Sequence, residues 1–80
     1  MRKETYSDRI TFNRKIFRGK PIIKGTRISV DIILGFLAND WSVEDILKQY
    51  PQLERKDILA ALEYSAKRLN REEIVYETAS

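Results

Sequence analysis

The sequence predicts a mainly α fold: three helices in helix-turn-helix order behind a short, β-containing N-terminal arm. Three observations predict it. Ser29 and Ser42 each precede apolar residues at helical spacing, where a serine oxygen can accept a free first-turn amide. Pro51 then breaks the pattern before a longer amphipathic run. Residues 10–28, by contrast, hold short apolar pairs punctuated by Gly19 and Gly25. Eighty residues make one domain with a small core, divided here into the arm (1–28), the helical core (29–70) and a tail (71–80).

Residues 1–7 carry no apolar periodicity and are expected to be a frayed end. Arg9-Ile10-Thr11-Phe12 alternates polar and apolar, a strand signal with Ile10 and Phe12 on one face. Asn13-Arg14-Lys15 is turn material, and Ile16-Phe17 is a second apolar pair. Gly19 and Gly25 supply backbone freedom around Pro21-Ile22-Ile23, a β-branched pair suited to a strand. Pro21 has no amide to donate, so this strand begins at the proline or lies at an edge. So few strands are not stable alone, and they must lie on the helices or pair with a second copy.

The first helix begins at Val30, capped by Ser29 with Asp31 complementing the dipole, and Ile33, Phe36 and Leu37 follow at helical spacing. Gly35 leaves a gap in side-chain volume where another element can approach. Asn39, which tolerates a left-handed cap, is the expected stop. Ser42 and Asp45 have capping-box spacing, and Trp41 is placed to staple onto Ile46. Leu53 to Ile58 repeats that layout with Glu54 as a poorer cap. Pro51, in Tyr50-Pro51-Gln52-Leu53, keeps the second helix short, about 43–49. The third runs from about 55 to 69, with Ile58, Ala61, Leu62, Ser65, Ala66 and Leu69 on one face. The tail's Glu72 to Glu77 is amphipathic, as a last helical turn or as a strand on a partner.

The stretch Gly19-Lys20-Pro21-Ile22-Ile23-Lys24-Gly25-Thr26-Arg27-Ile28-Ser29-Val30 resembles the signature of the domain-of-unknown-function 433 family. Trp41 to Leu53 (W-S-V-E-D-I-L-K-Q-Y-P-Q-L) and Asp57 to Tyr64 resemble its second half, so the likeness spans about 10–64. The resemblance implies a small homeodomain-like helical protein. It also implies an antitoxin, the partner of a nuclease-like toxin in a type II toxin–antitoxin pair.

Composition narrows the chemistry. With no cysteine and no histidine there is no disulfide, and the usual zinc ligands are missing, so neither metal nor other cofactor is expected. Absent cysteine suits a cytoplasmic protein, and no apolar run is long enough to span a membrane. Acid–base work would fall on carboxylates, tyrosines or lysines, and the acidic residues near helix ends are explained by capping. An enzyme is not expected. The net charge of +3 is unevenly spread: residues 1–28 hold nine Lys/Arg against two Asp/Glu, and residues 29–80 hold six against ten.

The basic arm is therefore the candidate surface for an anionic partner. Arg14, Lys15, Arg18, Lys20 and Lys24 are placed to meet phosphates, unless some only protect an edge strand. Arg55 and Lys56 open the third helix, where a helix-turn-helix protein reads bases, but Leu59, Ala60, Glu63 and Lys67 form a poor readout set. Gly19, Pro21, Gly25, Thr26 and Pro51 read as structural, and Arg27 as holding the strand-to-helix turn in preference to a ligand. Phe12, Phe17, Ile74 and Tyr76 sit in segments with little core of their own and are expected to bury against a second chain, giving a homodimer. The expected function is an antitoxin that binds a nuclease-like toxin and its operator DNA. The alternatives are a DNA-binding regulator without a toxin, or a protein-only dimerisation module.

Overall fold

Ile10, Thr11 and Phe12 extend into strand β1 (Ile10–Phe12), and the β-branched run after Pro21 forms β2 (Pro21–Ile23). The two pair antiparallel, with Ile10 opposite Ile23 and Phe12 opposite Pro21. The proline thus stands at the first position of its strand, where the missing amide costs least. The computed structural model describes residues 7–70. Within them the order is a 3-10 turn at Ser7–Arg9, β1, a second short turn at Phe17–Gly19, β2, then helices α1 (Val30–Ala38), α2 (Val43–Gln49) and α3 (Arg55–Asn70). The fold is mainly α, three helices preceded by a two-stranded sheet.

The sheet lies on the helices. Ile22 and Ile23 are buried, and Ile23 and Ile28 join Val30, Ile33, Ile46, Leu53, Ile58 and Ala61 in one core. Ile23, Ile33, Ile46 and Ile58 are fully enclosed, each contributing about 1.5–3 kcal/mol by leaving water. The core therefore draws on β2 and all three helices.

Local capping sets every helix start. Ser29 Oγ accepts the Ile32 amide at 3.3 Å, and Ser42 Oγ accepts the Asp45 amide at 3.0 Å. Asp45 returns the favour by accepting the Ser42 amide at 2.9 Å, which completes the box. At α3 the Glu54 amide donates to Asp57 Oδ2 at 2.8 Å, so a residue inside the helix supplies the cap that Glu54 does not.

The corner after α1 differs from expectation in one residue. Asp40, not Asn39, takes the left-handed conformation (φ 71), while Asn39 donates its side-chain amide to Gly35 O at 2.9 Å. Asp40 N–H bonds Leu37 O and Trp41 N–H bonds Phe36 O, the two hydrogen bonds of a Schellman motif. Its hydrophobic contact is the Phe36–Trp41 ring pair, 4.2 Å between centroids. Both rings pack against the core that holds Ile46.

Two expectations about packing are corrected. A Cβ at Gly35 would meet nothing within 4 Å, so no element approaches there. The buried face of α3 is Asp57, Ile58, Ala60 and Ala61, whereas Ala66 is exposed, Leu62 is 42% exposed and Leu69 67%. The cause is the arm. The Ser7–Arg9 turn and β1 lie against α3, with Arg9 on Asp57, and so extend its contact face beyond the helical stripe.

Candidate nucleic-acid and partner interface

From Arg9 to Val30 the chain carries no acidic residue, so its seven Lys/Arg must find carboxylates elsewhere or face solvent. Arg9 finds two. Its Nη1 donates to Asp57 Oδ1 at 2.9 Å and lies 3.4 Å from Glu54 Oε1, fastening the start of the arm to the first turn of α3. The hydrogen bond to Asp57 raises the guanidinium's already high pKa. Lys20 pairs with Asp31 at 3.1 Å, although both side chains remain well exposed. Lys20, expected to meet phosphates, thus has a carboxylate partner within the chain.

The other five, Arg14, Lys15, Arg18, Lys24 and Arg27, are exposed and have no side-chain partner among the described residues. For Arg27 this overturns the expected turn-holding role. Thr26 performs it: its Oγ1 donates to Ile23 O at 2.7 Å and accepts the Ile28 amide at 3.0 Å. Gly25 in the same turn has φ 80, which favours glycine. An arginine long enough to reach carbonyls was the plausible anchor in sequence, but the shorter threonine closes the turn locally.

The turn at Phe17–Gly19 is unusual in that Phe17 (φ 50), Arg18 (φ 57) and Gly19 (φ 85) are all left-handed in succession. Only glycine adopts that region without cost. The turn presents Phe17, 45% exposed, beside Arg18. Phe12 at the end of β1 is 56% exposed, with its ring 6.1 Å from that of Tyr64 on α3. The Arg68 guanidinium lies 5.8 Å from the Tyr64 centroid, and Phe12, Tyr64, Lys67 and Arg68 line a cavity of about 290 Å³. A second cavity, about 440 Å³, lies on the sheet side and also includes Phe12, with Asn13, Ile16, Gly25, Thr26 and Arg27.

Tyr64, Arg68 and Asn13 line these cavities and were not among the site residues expected from the sequence. For Tyr64 and Arg68 the signal was their i, i+4 spacing on one helix. Arg55 and Lys56 are exposed on the first turn of α3, but Ala60 is buried and Leu59 half-buried, so the outward face beyond them offers little to a base. Ile74 and Tyr76 lie outside the described residues. Among the described residues, no group of three or more His, Cys, Asp or Glu could hold a metal ion, and no helix is long and apolar enough to cross a membrane.

Comparison with known proteins agrees with this architecture. The family model described as "Protein of unknown function (DUF433)" matches residues 10–65. A crystal structure of a DUF433 member protein from Anabaena variabilis is similar to this chain, with a TM-score of 0.72 and 28% identity over 90% of this chain and 69% of that one. Among curated proteins no match was found. With the arm, the glycine-bounded strand and the three helices all inside or adjoining the matched span, the chain belongs to the DUF433 family.

Proposed function

We propose that the chain is an antitoxin-like binding protein that holds a nuclease-like toxin and contacts nucleic acid through its basic arm, as a homodimer in the cytoplasm. The toxin half of this reading comes from the family resemblance. The observation that supports a binding role is that Phe12 and Phe17, neither of them in the buried core, are exposed on an arm that also carries five cations with no side-chain partner among the described residues. Exposed phenyl rings cost solubility, and a surface that keeps two of them beside so much positive charge suits an anionic or amphipathic partner.

A tagged pull-down from the native cell, run with and without nuclease, tests the reading. The expected result is one small protein recovered in near-equal amount despite nuclease, whose ribonuclease or deoxyribonuclease activity the chain suppresses. Recovery of nucleic acid alone, lost on nuclease treatment, would replace this reading with a regulator lacking a toxin, which the exposed cations also favour. A chain that returns only itself would leave a protein-only dimerisation module. Deletion of residues 74–80, which carry Ile74 and Tyr76, is expected to abolish neutralisation while leaving the helical fold intact.

A further inference from the structure

We infer that the arm's nucleic-acid ligand is single-stranded, with bases seated on Phe12 and Phe17 and phosphates on the cations between and beside them. This deepens the nucleic-acid half of the proposed function and rests on it. In a duplex the bases are already stacked on one another, so two exposed phenyl rings have nothing to receive. In a single strand each nucleotide brings a flat π-face and a phosphate together, and this surface offers the matching pair of groups twice. Phe12 is followed by Arg14 and Lys15, and Phe17 by Arg18, all exposed.

The sheet-side cavity accommodates one such unit. Its volume of about 440 Å³ falls within the range of small-ligand sites. Phe12 and Ile16 give it apolar wall, and Gly25 has open space where a Cβ would stand, so a ligand can approach the backbone. Arg27 lines the cavity, its guanidinium without a partner among the described residues and so a ready phosphate ligand. The Asn13 side-chain oxygen already accepts the Lys15 amide at 2.9 Å, which leaves its Nδ2 as a donor for a base edge. Phe12 also lines the smaller cavity of about 290 Å³, which adds the Tyr64 ring and Arg68. Lys67, also in that lining, is 4.0 Å from Glu63. Phe12 thus borders two hollows, one lined also by Arg27 and the other by Tyr64, Lys67 and Arg68. An acidic peptide could match the charge, but its carboxylates do not come with a flat ring at every unit. The repeated ring-plus-cation pattern favours a polynucleotide.

The test is fluorescence anisotropy of the full chain with a labelled twelve-nucleotide oligothymidylate, a duplex of the same length, and a glutamate–tyrosine copolymer as competitor. The expected result is at least tenfold tighter binding of the single strand than of the duplex. Phe12→Ala and Phe17→Ala should each weaken the single strand by about tenfold with the salt slope unchanged, because a lost stack removes no phosphate contact. Arg27→Ala should weaken it and flatten the slope. All three positions are exposed, and circular dichroism of each variant verifies that the helices persist. Equal affinity for both forms, indifferent to Phe12→Ala, overturns the single-strand inference and leaves a duplex-binding arm standing. Binding of neither form removes the nucleic-acid reading as well. A copolymer that displaces the oligonucleotide at lower concentration than unlabelled oligothymidylate overturns the inference in favour of an acidic protein partner.

Discussion

Arg9 and Asp57, forty-eight residues apart, meet at 2.9 Å and join the arm to the helix that closes the core. Asp57 has two tasks at once: Oδ1 accepts Arg9 and Oδ2 accepts the Glu54 amide that begins α3. The side chain is 9% exposed, so each bond is made in a partly desolvated setting.

Asp57→Ala should destabilise the domain by about 2–3 kcal/mol, the loss of a cap together with a charge-assisted hydrogen bond. Asp57→Asn should recover part of this, since its carbonyl can still accept the Glu54 amide. Urea unfolding followed by circular dichroism measures both. An Arg9→Leu variant should show a smaller loss and no additivity with Asp57→Ala, because the two changes remove the same contact.

Glycine chemistry should change sign with position. Gly35→Ala is expected to stabilise by roughly 0.5–1 kcal/mol, because the helix interior has room for a methyl. Gly25→Ala, at φ 80, should cost about 1–2 kcal/mol despite equally open space. Asp40→Gly, at φ 71, should gain up to about 1 kcal/mol by relieving the left-handed cap. Thermal unfolding of the three variants side by side distinguishes backbone strain from packing.

Acid should weaken the fold through Asp31 and Asp45. The hydrogen bond from Ser29, then that from Lys20, lowers the Asp31 pKa. Asp45 is lowered chiefly by the Ser42 amide and also by its hydroxyl. A depressed folded pKa means stability that is fully present above the unfolded value of about 3.9 and lost as pH falls through the folded one. Urea midpoints should therefore be flat with respect to these two groups from pH 7 to about 5 and then decline. Asp31→Asn with Asp45→Asn should be less stable at pH 7 and decline less steeply below pH 4 than the native chain.

If duplex DNA is bound as well, Arg55→Ala with Lys56→Ala should weaken it by a similar factor on every sequence. Buried Ala60 and half-buried Leu59 cannot continue a base-reading face. The salt slope should fall by about 0.9 for each phosphate contact removed. Anisotropy at several salt concentrations, on two unrelated duplexes, measures this; a selective loss on one duplex would reinstate α3 as a reader of bases.

The helix boundaries were legible in the sequence because they are written in local terms. Ser29, Ser42 and Pro51 act on amides within three or four residues, and no distant contact is needed to decide where α1, α2 and α3 begin. The strand at Pro21 and the left-handed glycines were legible for the same reason. What only the tertiary structure decided is which surfaces are covered. Periodicity places Ile58, Ala61, Leu62 and Leu69 along one stripe, but with the arm packed on α3 and held by Arg9 on Asp57, Ala60 is buried while Leu62 and Leu69 stay outside. Likewise, which of the arm's cations are paired is decided only when the fold brings Asp57 to Arg9 and Asp31 to Lys20. Charge pairing and face burial depend on residues far apart in the chain, so they become visible only when the chain has closed on itself.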